Sequence, residues 1–292
     1  MDLGLFVALA NPYASPEMLA VLGRSAEERG VSSIWVPEHV VLFDEYESQY
    51  PYADDGRIPS MPGSGMLEPF TSLAFLAAHT TTVRLATGIV LLPQRNPVYT
   101  AKEAANVDYL SGGRFDFGIG VGWLREEFAA VNVPWPNRGK RTDEYIEVLT
   151  ALWTTDPSEF HGDLYDLPPC SMFPKPVQQP HPPLVFGGES DAALRRTARV
   201  GQGWHTFNRL PADVAEPLAR LDGFLAEQGR SRADLTITAS PYFNGISPEM
   251  VEQFAEAGVD QVTALLFADG PDGVEPALDE IQPSLDRARA LA

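Results

Sequence analysis

Eight apolar, strand-like runs alternate with helical patterns along this 292-residue chain, so the sequence predicts an α/β fold, a (β/α)8 TIM barrel with insertions after strands 2 and 4. Three observations carry that expectation. Strict alternation of strand and helix means parallel strands joined by helical crossovers. Eight such units close a barrel. No break in the pattern divides the chain, so residues 1–292 are read as a single domain.

The first strand is LGLFVALA, residues 3–10, and a helix follows over 15–29 with Ser15 as N-cap ahead of Pro16 and Glu17. SSIWVPEH supplies the second strand. A polar and aromatic stretch, 40–66, then precedes a helix over 68–79, and a loop of that length in a compact domain is a functional lid or a mobile segment. The third strand (83–92), its helix (97–110) and the fourth strand (114–120) follow in RLATGIVLLPQRNPVYTAKEAANVDYLSGGRFDFGIGVGW. Beyond Trp123 come a short helix and the helix RGKRTDEYIEVLTALW. Next is an excursion, EFHGDLYDLPPCSMFPKPVQQPHPP, whose seven prolines between 168 and 183 predict extended, rigid, strand-poor chain. It is expected to pack with 40–66 as a cap. PLVFGG and GWHTF are the fifth and sixth strands, followed by helices over 190–200 and 212–228. LTITASPYF and QVTALLF are the seventh and eighth, with helices over 248–257 and 274–290.

Composition removes several classes of function. A net charge of -19 opposes nucleic-acid binding, which needs basic patches against phosphate. Local exceptions are arginines 138, 141, 195, 196 and 199, which either lie on solvated faces or pair with phosphate or carboxylate. No apolar run approaches the roughly 20 residues of a membrane span, and Asp2 stands where a leader peptide would be basic. The lone Cys170 fits a reducing compartment, so a cytoplasmic location is expected. The five histidines show no metal-site spacing, and no metal is expected. A nucleophile elbow, a P-loop and a lysine at a strand end are all missing from the sequence, which sets aside serine acyl transfer, nucleotide cleavage and Schiff-base chemistry.

A TIM-type barrel places its active site at the carboxyl ends of the strands. The candidates there are Asn11, Glu38, His39, residues 88–95, 120–123, 187–190, 205–208 and 240–244. Thr87-Gly88 interrupts the third apolar run, and Gly118, Gly120 and Gly122 end the fourth, where bare backbone can approach a flat or phosphorylated ligand. Much exposed backbone with few reactive side chains is the profile of a protein whose cofactor does the chemistry.

The segments WVPEH, RLATGIVLLPQRNPVYTAKEAANVDYLSGGRFDFGIGVGW, RGKRTDEYIEVLTALW and PKPVQQPHPPLVFGG, in this order, resemble the luciferase-like flavin and deazaflavin oxidoreductases. The resemblance is strongest to the actinobacterial group of coenzyme F420-dependent oxidoreductases. It covers about the first 210 residues well and the last 80 loosely. It implies hydride transfer between F420 and a small organic substrate, with His39 giving or taking a proton. It places a non-proline cis peptide at Gly88-Ile89 behind the cofactor ring, where the residues alone would allow a simple bulge. It gives the cofactor phosphate to Gly187 and Gly188, although a glycine pair before a helix is also an ordinary tight turn. The implied cofactor-binding set is Thr87, Gly88, Ile89, Gly120, Val121, Gly122, Trp123, Tyr145, Gly187 and Gly188, with Arg95 and Arg141 in second rank.

Two departures stand out. Trp123 occupies a position where a sugar-phosphate dehydrogenase relative carries an acid, so that chemistry is not expected, and Trp123 either stacks on the ligand or fills core. Glu189 would repel a phosphate unless its side chain turns outward. Glu38 is expected to be structural, and His205 either faces the cofactor or lies in the core. Tyr46, Tyr50 and Tyr52 would cover the substrate. Relatives pair as homodimers, which is the expectation here, with no nucleic acid or membrane partner. The alternative is an FMN-dependent monooxygenase that uses dioxygen and reduced flavin from a separate reductase. A flavin-binding protein without turnover is the third reading.

Overall fold

The computed structural model describes residues 1–59 and 63–291. In chain order its elements begin with β1 (Asp2–Phe6), α1 (Pro16–Glu28), β2 (Ser33–Val36), α2 (Pro69–Ala77), β3 (Arg84–Thr87), β4 (Val90–Leu91), α3 (Pro97–Ser111) and β5 (Phe115–Gly120). Then come α4 (Arg125–Ala130), α5 (Arg138–Thr154), β6 (Ser158–His161), β7 (Asp166–Cys170), β8 (Leu184–Gly187) and α6 (Asp191–Val200). The last are β9 (Gly203–Phe207), α7 (Pro211–Glu227), β10 (Thr236–Ser240), α8 (Pro248–Glu256), β11 (Gln261–Leu265) and α9 (Val274–Ala290).

Parallel pairing runs β3-β2-β1-β11-β10-β9-β8-β5, and β5 pairs back to β3. The sheet closes with β3 and β4 as two parts of one barrel strand, which is the predicted eight-stranded barrel. Helix starts follow their local sequence: Ser15 Oγ accepts from the Met18 amide at 3.1 Å, and Asn96 caps α3 in the same way ahead of Pro97.

The third strand is broken between Thr87 and Val90. Leu85 pairs with Phe115, but Val90 pairs with Ile119, so the third strand carries one extra residue relative to β5. The Gly88-Ile89 peptide is cis, as the resemblance implied, and the register slip means that a bulge is present at the same place.

The excursion after α5 departs from expectation. Ser158–His161 and Asp166–Cys170 form an antiparallel hairpin before the proline-rich chain resumes. It forms because Ser158, Phe160 and Leu167 bury apolar or hydrogen-bonded groups against α5, while Glu144 accepts from the amides of Leu164 and Tyr165 at its turn. Residues 40–59 instead dock on α4 and the mouth of the barrel, and residues 60–62 of that insertion lie outside the described residues. Each excursion therefore has its own partner in place of the shared cap that was expected.

Inside the mouth, Phe6, Trp35, Ala86, Val185 and Tyr242 form an apolar layer separate from the main core. It floors the site.

Candidate active site

Two cavities open at the carboxyl ends of the strands and share a wall made of Gly120, Val121, Gly187 and Gly188. The first is an apolar chamber of about 220 Å³ faced by His39, Trp123, Ile89, Tyr50, Tyr52 and Phe207. The second, about 280 Å³, is faced by Arg138, Thr142, Ser190 and Arg196.

The broken third strand builds the common wall. Thr87 is fully buried, and its hydroxyl donates to the Gly118 carbonyl at 2.8 Å. A Cβ on Gly118 would stand 1.8 Å from the Thr87 carbonyl oxygen, and one on Gly120 would stand 1.7 Å from Ile89 Cδ1. Gly118 is therefore required by the neighbouring backbone, and a side chain at Gly120 would have to displace the end of Ile89, whereas strand-end position alone points to a ligand at both. Gly120 still presents its backbone to both cavities. Gly88 and Ile89 line the chamber, and Gly122, at φ +78°, makes the turn into α4.

His39 follows β2 and is held from behind. Its Nδ1 lies 3.3 Å from Glu127 Oε2, and Glu127 is fully buried. A carboxylate only accepts, so the ring proton sits on Nδ1 and Nε2 is left for the chamber. Glu127 also accepts from the Val40 amide at 2.7 Å and from Gln94 Nε2 at 3.2 Å. The sequence reading missed Glu127. Its signal was an acidic pair, Glu126 and Glu127, in the first turn of the short helix that follows the fourth barrel strand.

Trp123 is a chamber wall. His39 meets it edge to face at 5.8 Å, and Tyr50 and Tyr46 pack on it at 5.2 and 5.8 Å. Tyr52 packs on Phe207 at 5.0 Å, and its carbonyl accepts from Asn208 Nδ2. The covering segment is tied to α4 by Glu126, which accepts from the Glu47 amide at 2.7 Å and from Ser48 Oγ at 2.6 Å. Against a burial cost, bonds from Ser48 and from the amides of Glu126, Glu47 and Ser48 hold this carboxyl at about 2.

Glu38 lines the chamber, but its carboxylate is committed within the protein. It pairs with Arg95 and accepts from the Leu91 amide at 2.6 Å, while burial outweighs both and raises its pKa. Arg95 is shared with Glu68 and Glu103, and Arg141 donates to the carbonyls of Pro134 and Pro136. Both arginines are structural. Tyr145 packs on Tyr165 at 5.6 Å and lines neither cavity. His205 floors the chamber between Trp35 and Phe207. Burial pushes its pKa down to about 4, and its Nε2 has no partner.

The second cavity has the features of an anion site. Ser190 caps α6, so the positive end of that helix faces the cavity behind Gly187 and Gly188. Arg138 lies 3.8 Å over the ring of Trp135, and its buried Nε has no partner. Arg196 is fixed by Asp143 at 2.8 Å and by the Gly139 carbonyl. Glu189 is turned outward onto Thr206 Oγ1 and Arg209, so its charge is neutralised away from the cavity. The sequence reading had counted Arg138 only within a group of arginines.

A chamber with room for a flat ring, joined to a site for an anion, is the shape required by a phosphorylated ring cofactor. Comparison with known proteins agrees. The family model for luciferase-like monooxygenases matches residues 1–256.

The chain belongs to the luciferase-like monooxygenase family.

An uncharacterized protein of Mycobacterium tuberculosis is 36% identical over 264 residues, covering 89% of this chain and 90% of its own length. The FMNH2-dependent dimethylsulfone monooxygenase of Pseudomonas putida is 37% identical over 139 residues, 46% of this chain and 38% of that one. Among solved structures, an F420-dependent secondary alcohol dehydrogenase in complex with an F420–acetone adduct superposes with a TM-score of 0.76, 17% identity and 99% coverage of both chains, which shows a common fold. This luciferase-like chain is thus an oxidoreductase by family, and its relatives and neighbours use F420 or FMN.

Proposed function

We propose that this luciferase-like chain transfers a hydride between coenzyme F420 and a small organic substrate, with His39 moving the accompanying proton. The observation that carries this reading is the shared wall at Gly120, Val121, Gly187 and Gly188, which lets one ligand place a ring in the chamber and a phosphate in the anion cavity. Arg138 lines that cavity with no carboxylate partner among the described residues, so its guanidinium is available to a phosphate there. When bound, the deazaflavin supplies or accepts the hydride at C5 of its central ring.

The chain's own residues do the rest. Ile89 backs the ring position, and Gly187, Gly188, Ser190 and Arg138 would hold the phosphate. Glu127 keeps the His39 proton on Nδ1, so Nε2 takes a proton from a substrate alcohol or, once protonated, returns it to a carbonyl oxygen. Trp123, Tyr50 and Tyr52 exclude water. A second reading, FMN-dependent oxygenation with reduced flavin from a separate reductase, draws support from the dimethylsulfone monooxygenase relative.

Absorbance and fluorescence titration of the chain with F420 and with FMN tests the assignment. Saturable F420 binding at least tenfold tighter than FMN binding is expected. Tight FMN binding without F420 binding overturns it in favour of the second reading.

A further inference from the structure

The chamber is lined by Phe6, Ile58, Trp123, Phe207 and their aromatic neighbours, and among the described residues no lysine, arginine or aspartate faces it. Its single acid, Glu38, is committed to Arg95 and the Leu91 amide. Glu127, behind His39, is fully buried and already accepts four bonds. The cations nearest the mouth are committed as well: Arg95 to three carboxylates, Arg57 to the Tyr46 carbonyl and ring, and Arg209 to Glu189.

From this we infer that the substrate is an uncharged, largely apolar molecule that presents one hydrogen-bonding oxygen to His39 Nε2. The inference rests on the proposed function only in taking the chamber as the substrate site. A charge brought into the chamber would lose its hydration and meet no free opposite charge. His205, the other imidazole within reach, is neutral because burial holds its pKa near 4. Approach adds to the discrimination. Residues 40–59 carry Asp44, Glu45, Glu47, Asp54 and Asp55 against one base, Arg57, on a chain of net charge -19, so anions are repelled before they arrive. The aromatic walls suit apolar and aromatic molecules.

Three shape-matched probes read the charge preference directly: acetophenone, benzoate and benzylammonium, each titrated into the full chain by saturation-transfer difference NMR, without cofactor and with F420. Acetophenone is expected to bind at least tenfold tighter than either charged probe in both conditions, the cofactor-free titration being run with inorganic phosphate present to fill the anion cavity. Ile58→Arg, on the covering segment and outside the barrel core, is expected to raise benzoate affinity about tenfold. A preference below tenfold, no acetophenone binding, or an unchanged benzoate affinity in Ile58→Arg overturns the inference. A chain that binds no F420 yet keeps the acetophenone preference overturns the cofactor assignment and leaves the substrate class standing.

Discussion

In the chamber every charged group within reach has a partner inside the protein, whereas in the anion cavity, across the same four-residue wall, the buried Arg138 Nε has none. In the chamber folding pairs the charged groups and leaves one neutral atom, His205 Nε2, without a partner. The chamber's aromatic rings pack on one another, and Glu38, Arg95 and Glu127 satisfy the polar groups that the insertion after β2 and the turn after β5 bring in. The second cavity is lined by a helix N-terminus, two glycines and Arg138, which has no carboxylate partner among the described residues. The difference teaches that recognition and chemistry are separated here. On the proposed reading, one compartment binds charge and the other excludes it.

The largest effect expected from breaking this division is on turnover. His39→Ala should lower the rate of the reacting enzyme by roughly 10² to 10⁴ fold, the usual worth of a positioned acid or base, and leave cofactor affinity within about twofold. Stopped-flow reduction of bound cofactor measures the first and fluorescence titration the second. A parallel loss of cofactor affinity would mean that the compartments are not separable.

Arg138→Ala should act on the other side alone. It removes one charge-assisted contact, worth about 1.5 to 3 kcal/mol, so cofactor Kd should rise roughly 10 to 100 fold while Tm falls only slightly, through the lost stacking on Trp135. Equal loss of Tm and affinity would make Arg138 a structural residue.

Gly120→Ala strikes the shared wall. Its Cβ would meet Ile89, and the overpacking should cost about 1 to 3 kcal/mol in urea unfolding. Adding Ile89→Ala should recover most of that loss, which checks that the glycine answers to Ile89.

The smallest effect belongs to the tie between the covering segment and α4. Glu126 has a folded pKa of about 2 against an ordinary 4.5, so its contribution is fully present above pH 4.5 and is lost as pH falls through about 2. Solvent screening keeps it under about 1 kcal/mol. Glu126→Gln should speed proteolysis near residues 45–50 at pH 7, where the wild-type segment is held, and this difference should shrink toward pH 2.

Much of this was legible in the sequence. Alternating apolar runs and caps such as Ser15 and Asn96 specify strands and helices locally, and eight units leave closure as the way to bury both faces of a parallel sheet. His39, Ile89, Gly120, Val121, Trp123, Gly187 and Gly188 were all picked out by lying at strand ends, and the structure brings them to one mouth. Thr87 and Tyr145 were also picked out, yet they bond and pack elsewhere. The hairpin at 158–170 was hidden because prolines mask its pattern and its stability comes from packing on α5.

What the sequence by itself determined was the barrel, the mouth and the residue types that reach it, since periodicity and capping are local properties. Only the tertiary structure decided that Gly120 answers to Ile89, that Glu127 stands behind His39, that Glu189 turns to Arg209, and that Arg138 keeps an unpaired donor. Partnership between polar groups far apart in the chain depends on distance and burial in three dimensions, and residue spacing along a strand or helix carries neither.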